Sequence, residues 1–542
     1  MKYCDLFTLC LLITLFSVIS VAMKAPTSAY SELYSTAQQN SFITKKLTFM
    51  TATLMVQGTT SNAGKSVLVA GLARLFHNAG LSVAPFKPQN MALNSAVTIN
   101  GGEIGRSQAV QALACGIEPH TDMNPILLKP TNDKGAQVII HGHSIGDMSA
   151  VEYHAFKKTA INYALESYER LAAKHDVIVI EGAGSPAEIN LRQHDVANMG
   201  FATRINCPVL LVADIDRGGV FAHLTGTLEC LTENERALIK GFVINRFRGD
   251  KSLLNSGVDW LTQKTRKETL GVLPFLHGLH IEAEDSVDLD NTADDSNKSV
   301  TLSVVVPRIP RISNHTDIDV LKLNPTVSVR FVEEGEDIPP CDLVILPGSK
   351  NTIGDMNWLV KNNWPEYIKR HLRYGGKLIG ICGGYQMIGE KIHDPNGLEG
   401  PPGSCSGLGL MQFETRLEPN KQLTNISGYL YNSQTPVRGY EIHMGTTYGS
   451  ALSRPAINLE DGREDGVVSC DNQIFCTYLH GVFDNSEACV ALLKWAGHTD
   501  SKKFDYDKFR DHEINRVATM MKENLNLKSL SEILNLPLLN NL

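Results

Sequence analysis

The sequence predicts an α/β protein built from two successive domains, each with a parallel β-sheet between layers of helices. At 542 residues the chain is too long for one ordinary hydrophobic core. Short apolar runs alternate with helical stretches, which is the pattern of doubly wound parallel sheets. Glycine-rich polar segments follow several of these runs, and the segments at residues 58–66 and 380–387 carry side chains suited to chemistry. We therefore expect one functional centre in each domain.

The composition is that of an ordinary globular protein. Hydrophobic residues make up 43% and charged residues 20% of the chain, and the formal net charge is −8. No lysine- or arginine-rich block occurs, so nothing predicts a nucleic-acid partner. The 11 cysteines include no C-x-x-C pair, which favours reduced thiols over disulfides or a structural zinc.

The first 49 residues differ from the rest of the chain. Lys2 precedes an apolar run at residues 6–22 that ends in small residues, as in a secretory signal or a short membrane anchor. The chain after Met50 instead carries motifs typical of cytosolic chemistry. We expect residues 1–49 to be a dispensable or spurious extension of a cytoplasmic protein. Membrane contact is expected only if this extension is real.

The first domain is expected to begin with a strand at residues 53–56 that leads into a glycine-rich loop. Gly58 and Gly64 lie six positions apart, one more than in the common G-x-x-x-x-G-K phosphate loop. Glycine frees backbone amides to face phosphate oxygens, Lys65 supplies positive charge, and the Ser66 hydroxyl can bind Mg²⁺ where a helix begins. The nucleotide-binding residues predicted in this P-loop are Gly58, Thr59, Asn62, Gly64, Lys65 and Ser66.

Further polar residues follow the next apolar runs of this domain. Because the carboxyl ends of parallel strands meet at one edge of a sheet, we expect these residues near the loop. Glu181 is the predicted second Mg²⁺ ligand, since a lone carboxylate at the end of a buried strand is costly without a cation. Lys87 is predicted to bind the nucleotide, and the Asn245 amide is predicted to contact the adenine edge.

The second centre is predicted at residues 380–387, where Cys382 follows a buried strand at residues 377–381 and precedes a helix. Glycines on both sides allow a sharp turn that exposes a nucleophile, and the helix N-terminus favours a thiolate. A buried structural cysteine is the alternative. His480 ends a β-rich run and is the expected base, while Gly348 follows another buried strand and could offer amides to an oxyanion.

The order of these segments, a strand with its Pro-Gly-Ser turn, then GICGGYQ, then YLHG, resembles the class I glutamine amidotransferase domain. The resemblance implies a flavodoxin-like α/β domain in which Cys382 attacks the side-chain amide of glutamine, forms a thioester and releases ammonia. Such domains often carry a glutamate two residues after the histidine, and Val482 occupies that position here. We predict Cys382 and His480 as catalytic residues and assign no third member of a triad.

The glycine-rich loop of the first domain resembles that of dethiobiotin synthetase and its relatives, including the partition-type ATPases. A closer resemblance, to the cobyric acid synthase family, spans residues 52–495. It rests on the following segments in order: APFKPQNMALNS, EGAGSPAEINL, VADIDRGGVFA, GFVINRFRGD, PRIPRISNHTDIDVL, LPGSKNTIGDM, GICGGYQMIG, RGYEIHMG and YLHGVF.

This resemblance implies a ligase that uses ATP, Mg²⁺ and glutamine to amidate the b, d, e and g carboxylates of a corrinoid, adenosylcobyrinic acid a,c-diamide. The first domain would convert a carboxylate, which is a poor acyl donor, into an acyl phosphate, and ammonia from the second domain would attack it. Asp195, which follows the EGAGSPAEINL segment, is a candidate catalytic residue that would orient the acyl phosphate or deprotonate ammonia. A surface loop acid is the alternative for Asp195.

Two other functions stay open. Cobyrinic acid a,c-diamide synthase shares both domains but amidates other positions. The KPQNMALNS and RGYEIHMG segments favour amidation of the a,c-diamide over this alternative. A nucleotide-switched partition or positioning ATPase belongs to another class of protein. The occurrence of Gly348, Cys382 and His480 in this order along the chain argues against it.

Composition also predicts the domain boundaries. Residues 50–281 are the expected ATP-dependent domain, and the acidic, aperiodic residues 282–299 are the expected linker. Residues 300–497 are the expected amidotransferase domain. Residues 498–542 are predicted to form a helical tail whose leucine-rich end packs on the body or on a partner.

Overall fold

The computed structural model describes residues 51–132, 135–282, 300–431, 433–499 and 503–541. The predictions for the N-terminal extension and for nearly all of the linker fall outside these residues.

Strands and helices alternate through the first half of the chain, as the sequence predicts. The strands are β1 (Ala52–Gly58), β2 (Val83–Phe86), β3 (Gln89–Met91), β4 (Ser95–Val97), β5 (Glu103–Gly105), β6 (Ile126–Asn132), β7 (Gly135–Ile140), β8 (His143–Ser149), β9 (Val177–Glu181), β10 (Val209–Asp214), β11 (Ile239–Phe247) and β12 (Glu268–Pro274). The helices are α1 (Lys65–Asn78), α2 (Arg106–Ala114), α3 (Ala150–Ala172), α4 (Met199–Ala202), α5 (Val220–Glu229), α6 (Glu233–Leu238) and α7 (Asn255–Thr265).

A six-stranded sheet forms the centre of this half, with the strand order β12-β11-β10-β1-β9-β2. Every neighbouring pair is parallel. Parallel strands are joined by crossovers that cover both faces of the sheet, so its central strands are apolar along their length. Strands β9 and β10 are accordingly buried at every residue. The predicted doubly wound parallel sheet is confirmed, and its carboxyl edge carries the residues predicted for the nucleotide.

The segment between β2 and α3 forms two smaller sheets. Strands β3, β6, β7 and β8 make one of them, in which β3 and β6 are parallel and the other pairs are antiparallel. Strands β4 and β5 make a short antiparallel hairpin. This segment therefore leaves the main sheet after β2.

The second half repeats the alternation and adds a large, mostly antiparallel sheet. Its strands are β13 (Leu302–Pro307), β14 (Val327–Val332), β15 (Leu343–Leu346), β16 (Lys377–Ile381), β17 (Lys391–Asp394), β18 (Gly403–Ser406), β19 (Glu414–Leu430), β20 (Pro436–Tyr448), β21 (Ile457–Leu459), β22 (Glu464–Asp465), β23 (Val467–Val468), β24 (Ile474–Thr477) and β25 (Leu479–His480). The helices are α8 (Asp319–Leu323), α9 (Thr352–Lys361), α10 (Trp364–Arg373), α11 (Gly383–Ile388), α12 (Ser486–Trp495), α13 (Tyr506–Asn524) and α14 (Leu527–Leu534).

The main sheet of this half has the strand order β14-β13-β15-β16-β24-β23. All neighbours are parallel except β23, which pairs with β24 in the antiparallel sense. Taken in chain order, the five parallel strands follow the flavodoxin-like 2-1-3-4-5 arrangement. The second α/β domain is therefore also confirmed. The long hairpin β19–β20 belongs to the separate sheet, and it carries β25 on its edge.

The C-terminal tail packs on the first half of the chain. Val517 and Met521 of α13 share a hydrophobic core with Leu68 and Leu72 of α1. At Gly71 the two helices approach so closely that a Cβ there would lie 2.6 Å from Val517 Cγ1. The leucine-rich end, in α14, joins the same core. Of the two surfaces that the sequence left open for the tail, it therefore packs on the body of this protein.

The two halves meet beside residues predicted to be functional. Asn94 Nδ2 lies 2.8 Å from His315 Nδ1, and the Ser95 amide donates to Asn314 Oδ1 at 3.0 Å. All four side chains are buried. The segment after Lys87 therefore reaches the second half of the chain.

A buried ionic network joins both halves and the tail at Glu282. This carboxylate accepts hydrogen bonds from Arg106, from Arg510 at 3.0 Å and from the Tyr506 hydroxyl at 3.1 Å. Burial alone would raise the pKa of Glu282, but the two arginines outweigh it and lower this pKa to about 2. Glu282, expected as the first residue of the linker, therefore belongs to the packed body.

In the described part of the chain, no helix combines the length and apolarity needed to cross a membrane. The apolar run at residues 6–22 lies outside that part, and its interpretation stays a prediction.

Candidate active sites

The turn between β16 and α11 holds Cys382 in a strained backbone conformation, with φ at 51° and ψ at −107°. The glycines that follow are required by space. A Cβ on Gly383 would lie 2.7 Å from the Ser349 nitrogen, and a Cβ on Gly384 would lie 2.0 Å from the Leu346 carbonyl oxygen. The first turn of α11 therefore packs directly on the end of β15, and Cys382 is fixed where the helix begins.

His480 lies beside Cys382 and is completely buried. Its Nδ1 is 2.7 Å from Asp317 Oδ2, which assigns the Nδ1 proton to that hydrogen bond and leaves Nε2 for the thiol. Burial alone would lower the pKa of His480, but the negative charges of Asp317 and of a Cys382 thiolate outweigh it and raise this pKa to about 10. The site therefore favours the protonated, imidazolium form of His480 beside Cys382.

Asp317 occupies the orienting position for which the sequence offered no residue. It lies in a short 3-10 turn, His315–Ile318, and its second oxygen accepts a hydrogen bond from the Gly481 amide at 2.7 Å. Val482, at the position where related domains carry a glutamate, is buried in the hydrophobic core. The sequence did contain a signal for this residue. Asp317 and Asp319 lie in the segment that follows β13, and the carboxyl end of β13 lies at the same edge of the sheet as Cys382.

The Gly348 turn, predicted to offer amides to an oxyanion, lies against the same residues. A Cβ on Gly348 would come within 3.1 Å of His480 Cε1. The neighbouring Ser349 nitrogen faces Gly383, whose own amide belongs to the first turn of α11 and has no acceptor within that helix. The structure thus brings Gly348, Cys382 and His480, from three separate segments, into one site.

Strand β20 forms a wall of this site. Cys382 Sγ lies 3.6 Å from the Ile442 carbonyl oxygen, and the Tyr440 ring stacks on His480 with 5.4 Å between ring centroids. The RGYEIHMG segment is therefore both a strand of the sheet and a wall of the site.

In the first domain, the loop between β1 and α1 has the geometry of a phosphate cradle. Asn62 and Gly64 adopt positive φ angles of 59° and 94°. Lys65 Nζ folds back over the loop and donates to the carbonyl oxygens of Thr60 at 3.3 Å and Gly184 at 3.0 Å. The lysine charge is therefore held above the backbone amides of the loop.

Glu181 lies at the centre of a buried polar cluster at the end of β9. It accepts hydrogen bonds from the Ser66 hydroxyl at 2.7 Å, from Lys87 Nζ at 3.0 Å and from the Gln111 side chain. Burial alone would raise the pKa of Glu181, but Lys87 and the other donors lower it. The carboxylate is therefore ionised, and Ser66, Lys87 and Glu181 meet as the sequence predicts.

These residues fit a magnesium nucleotide. The Thr59 hydroxyl is buried and has no hydrogen-bond partner among the described residues, which leaves it free for a ligand. Beside it, a hydroxyl and a carboxylate meet at Ser66 and Glu181, and hard oxygen atoms are the ligands that Mg²⁺ prefers. Lys65 supplies the positive charge that phosphate oxygens require.

Two predicted residues are engaged elsewhere. Asn245 donates from Nδ2 to the Ala63 carbonyl oxygen at 3.0 Å and accepts from the Arg246 amide at 2.9 Å, so its amide braces the loop. Asp195 accepts hydrogen bonds from backbone amides that include those of Ala197 at 2.8 Å and Gly200 at 2.9 Å. This geometry favours a loop acid that caps the start of α4, and a catalytic role for Asp195 stays a prediction.

Two family models match the chain. An AAA domain matches residues 52–283, and a CobB/CobQ-like glutamine amidotransferase domain matches residues 303–488. Similar solved structures include that of PurLQS from Thermotoga maritima, which is 14% identical over 40% of this chain and 98% of that chain with a TM-score of 0.26. The structure of a glutamine amidotransferase is 14% identical over 36% of this chain and 98% of that chain, with a TM-score of 0.28. Chloroplast FtsY from Physcomitrella patens is 17% identical over 41% of this chain and 58% of that chain, with a TM-score of 0.24.

The two domains define a glutamine amidotransferase ligase, an enzyme that combines an ATP-binding domain with a glutaminase domain. The union of an AAA domain of this type with a CobB/CobQ-like amidotransferase domain is the architecture of cobyric acid synthase.

Proposed function

We propose that this protein amidates the b, d, e and g side-chain carboxylates of adenosylcobyrinic acid a,c-diamide in the cytoplasm, with ATP, Mg²⁺ and glutamine. The observation that carries the proposal is the buried segment that links the two centres. At one end Lys87 binds Glu181 of the nucleotide site. At the other end Ser95 binds Asn314, whose amide lies 3.4 Å from His480 Nε2.

The amidotransferase site supports the glutaminase half of the reaction. The Cys382 thiolate attacks the amide carbon of glutamine, and His480 gives its Nε2 proton to the departing ammonia. Asp317 holds the imidazolium in place through Nδ1. The amides of the Gly348 turn and of Gly383 stabilise the oxyanion, and water then hydrolyses the thioester.

The nucleotide site supports activation of the carboxylate. ATP would supply the phosphoryl group that turns a carboxylate oxygen into a leaving group. Ser66 and Glu181 would hold an Mg²⁺ ion, which would supply positive charge to the phosphates. Lys65 adds positive charge above the loop, and the Thr59 hydroxyl can donate to a phosphate oxygen. Lys87 keeps Glu181 ionised and oriented.

A product assay tests this proposal. The purified protein is incubated with ATP, Mg²⁺ and glutamine, and with either cobyrinic acid or its adenosylated a,c-diamide, and the added amides are counted by mass. We expect amidation of the diamide at b, d, e and g. Two amides added to cobyrinic acid, and none to the diamide, would instead identify cobyrinic acid a,c-diamide synthase. ATP hydrolysis without amidation of either acid would refute both assignments.

A further inference from the structure

Three lysines from both halves of the chain meet in a buried cluster next to the amidotransferase site. Lys129 lies on β6, Lys421 lies on β19, and Lys350 directly follows the Gly348 turn. We call these residues the lysine cluster. They surround Glu103, on β5, and no catalytic step above uses them.

Glu103 neutralises two of the three lysines. Lys129 Nζ lies 2.7 Å from Glu103 Oε1, and Lys421 forms an ion pair with Glu103 Oε2. Lys129 also donates to the Ser95 hydroxyl at 3.0 Å, and Ser95 binds Asn314 beside His480. The cluster therefore holds two cations on one carboxylate. Contacts through Ser95 and Asn314 connect Lys129 to His480, the proposed base.

Lys350 is the third cation, and it is only 7% exposed. Among the described residues none gives its Nζ a hydrogen bond or a salt bridge. Burial, followed by the nearby charge of Lys421, lowers the pKa of Lys350. The next carboxylate that faces it, Glu399, is already bound to the Thr352 amide at 2.7 Å. Among the described residues no carboxylate therefore lies within ion-pair distance of Lys350 Nζ, and the negative charges of Glu399 and Glu103 act on it from farther away.

Such a group is costly in a folded protein, because a buried charge loses its hydration and regains it only through a partner. The cluster would be more stable with a small anion bound between Lys350 and Lys421. Lysine Nζ atoms on flexible stems suit a carboxylate, and one bound here would reduce the excess positive charge of three lysines that face Glu103.

We propose that the lysine cluster is a carboxylate-binding site in which Lys350 contacts the ligand. Both substrates carry the required group, since glutamine has an α-carboxylate and the acid to be amidated has peripheral carboxylates. The second source rests on the function proposed above. The cluster joins the two domains, since Lys350 adjoins the Gly348 turn and Lys129 lies on β6.

Substitution Lys350→Met tests the site, because it removes the charge and keeps most of the apolar stem. Two reactions are measured, glutamine hydrolysis alone and amidation of the corrinoid with ammonium as the nitrogen source. We expect a rise of about tenfold or more in one KM, which corresponds to 1.4 kcal/mol, with a smaller change in kcat. A higher KM for glutamine identifies its α-carboxylate as the ligand. A higher KM for the corrinoid with ammonium identifies the acid substrate.

Lys361→Met is the matched control, since Lys361 is a surface lysine of the same domain with 73% side-chain exposure. It should leave both KM values unchanged. The Tm of the Lys350→Met protein without substrate should equal or exceed that of the wild type, because an unpaired buried cation has been removed. Unchanged KM values in both reactions, a loss confined to kcat, or a lower Tm would overturn the proposal. Failure of the wild type to amidate the corrinoid would count against the proposed function alone, because the glutaminase measurement still tests the cluster.

Discussion

Asp317 uses both of its carboxylate oxygens, one on His480 Nδ1 and one on the Gly481 amide, each at 2.7 Å. The first contact fixes the ring orientation, and the second fixes the backbone that carries it. Because the carboxylate is also the largest influence that raises the pKa of His480, Asp317 determines the pH range in which the imidazolium exists.

Replacement of this acid should change the pH profile of glutamine hydrolysis. The pKa of His480 is raised to about 10, so the imidazolium persists from neutral pH until the pH rises through that value. Asp317→Asn removes a negative charge, and we expect the alkaline limb of kcat/KM to move down by about one pH unit or more. We also expect kcat to fall by about 10²-fold. Asp461→Asn, at an exposed ion pair, should change neither quantity. If the alkaline limb did not move in the Asp317→Asn enzyme, Asp317 would not control the pKa of His480.

The sequence indicated Cys382 and His480 because each stands in a distinctive glycine-rich segment, but it did not indicate Asp317. The rule that carboxyl ends of parallel strands share an edge would have pointed to the segment after β13. That segment also holds Asp319, so the rule alone could not have chosen between the two acids. The choice depends on the backbone of the His315–Ile318 turn, which long-range packing determines.

At the scale of elements, the clearest predictions were those with a local cause. The helix predicted to begin at Ser66 spans Lys65–Asn78, because a glycine loop starts it and Gly80, at φ 84°, follows its end. The tail could be predicted as helical but not placed. Its apolar face fits any apolar surface, and only the three-dimensional structure shows α13 on α1 and Leu525 bridged to Gly271 of the edge strand β12.

The close contact between α1 and α13 should be sensitive to a single methyl group. Alanine normally stabilises a helix by about 1 kcal/mol relative to glycine. At Gly71, however, a Cβ would lie 2.4 Å from Met521 Sδ and 2.6 Å from Val517 Cγ1, and such overpacking costs about 1–3 kcal/mol. We expect Gly71→Ala to lower the Tm and to expose the tail to limited proteolysis.

Gly226→Ala is the matched control, since Gly226 lies in helix α5 with open space around its Cα. It should raise the Tm slightly. If both substitutions shifted the Tm in the same direction, the packing of the tail on α1 would be wrong.

At the scale of the whole molecule, Glu282 joins the first domain to the C-terminal tail through Arg106 and Arg510. Asp484 of the second domain lies 4.0 Å from Arg106, so the network reaches all three parts of the chain. Removal of one partner from a buried ion pair leaves unpaired charges behind, which costs more than the pair contributes.

Glu282→Gln should therefore destabilise the protein by about 3–5 kcal/mol at neutral pH, as measured by urea unfolding. The pKa of Glu282 is lowered from 4.5 to about 2, so its stabilising contribution is present above pH 4.5 and disappears as the pH falls towards 2. The difference between variant and wild type should shrink over that range. Glu487→Gln, at a surface pair with Lys503, should cost no more than about 1 kcal/mol. Equal effects of the two substitutions would contradict the role of the network.

In the proposed function the two domains divide the labour, since Cys382 makes ammonia and the other domain activates the acid. The most direct measurement compares amidation by the Cys382→Ala enzyme with glutamine and with ammonium at raised pH, where free ammonia is abundant. We predict that glutamine-dependent amidation is lost and that ammonium-dependent amidation continues, because the activated carboxylate does not distinguish the source of ammonia. Retention of the glutamine-dependent rate would make Cys382 a structural cysteine, and loss of both reactions in a folded protein would contradict the division of labour.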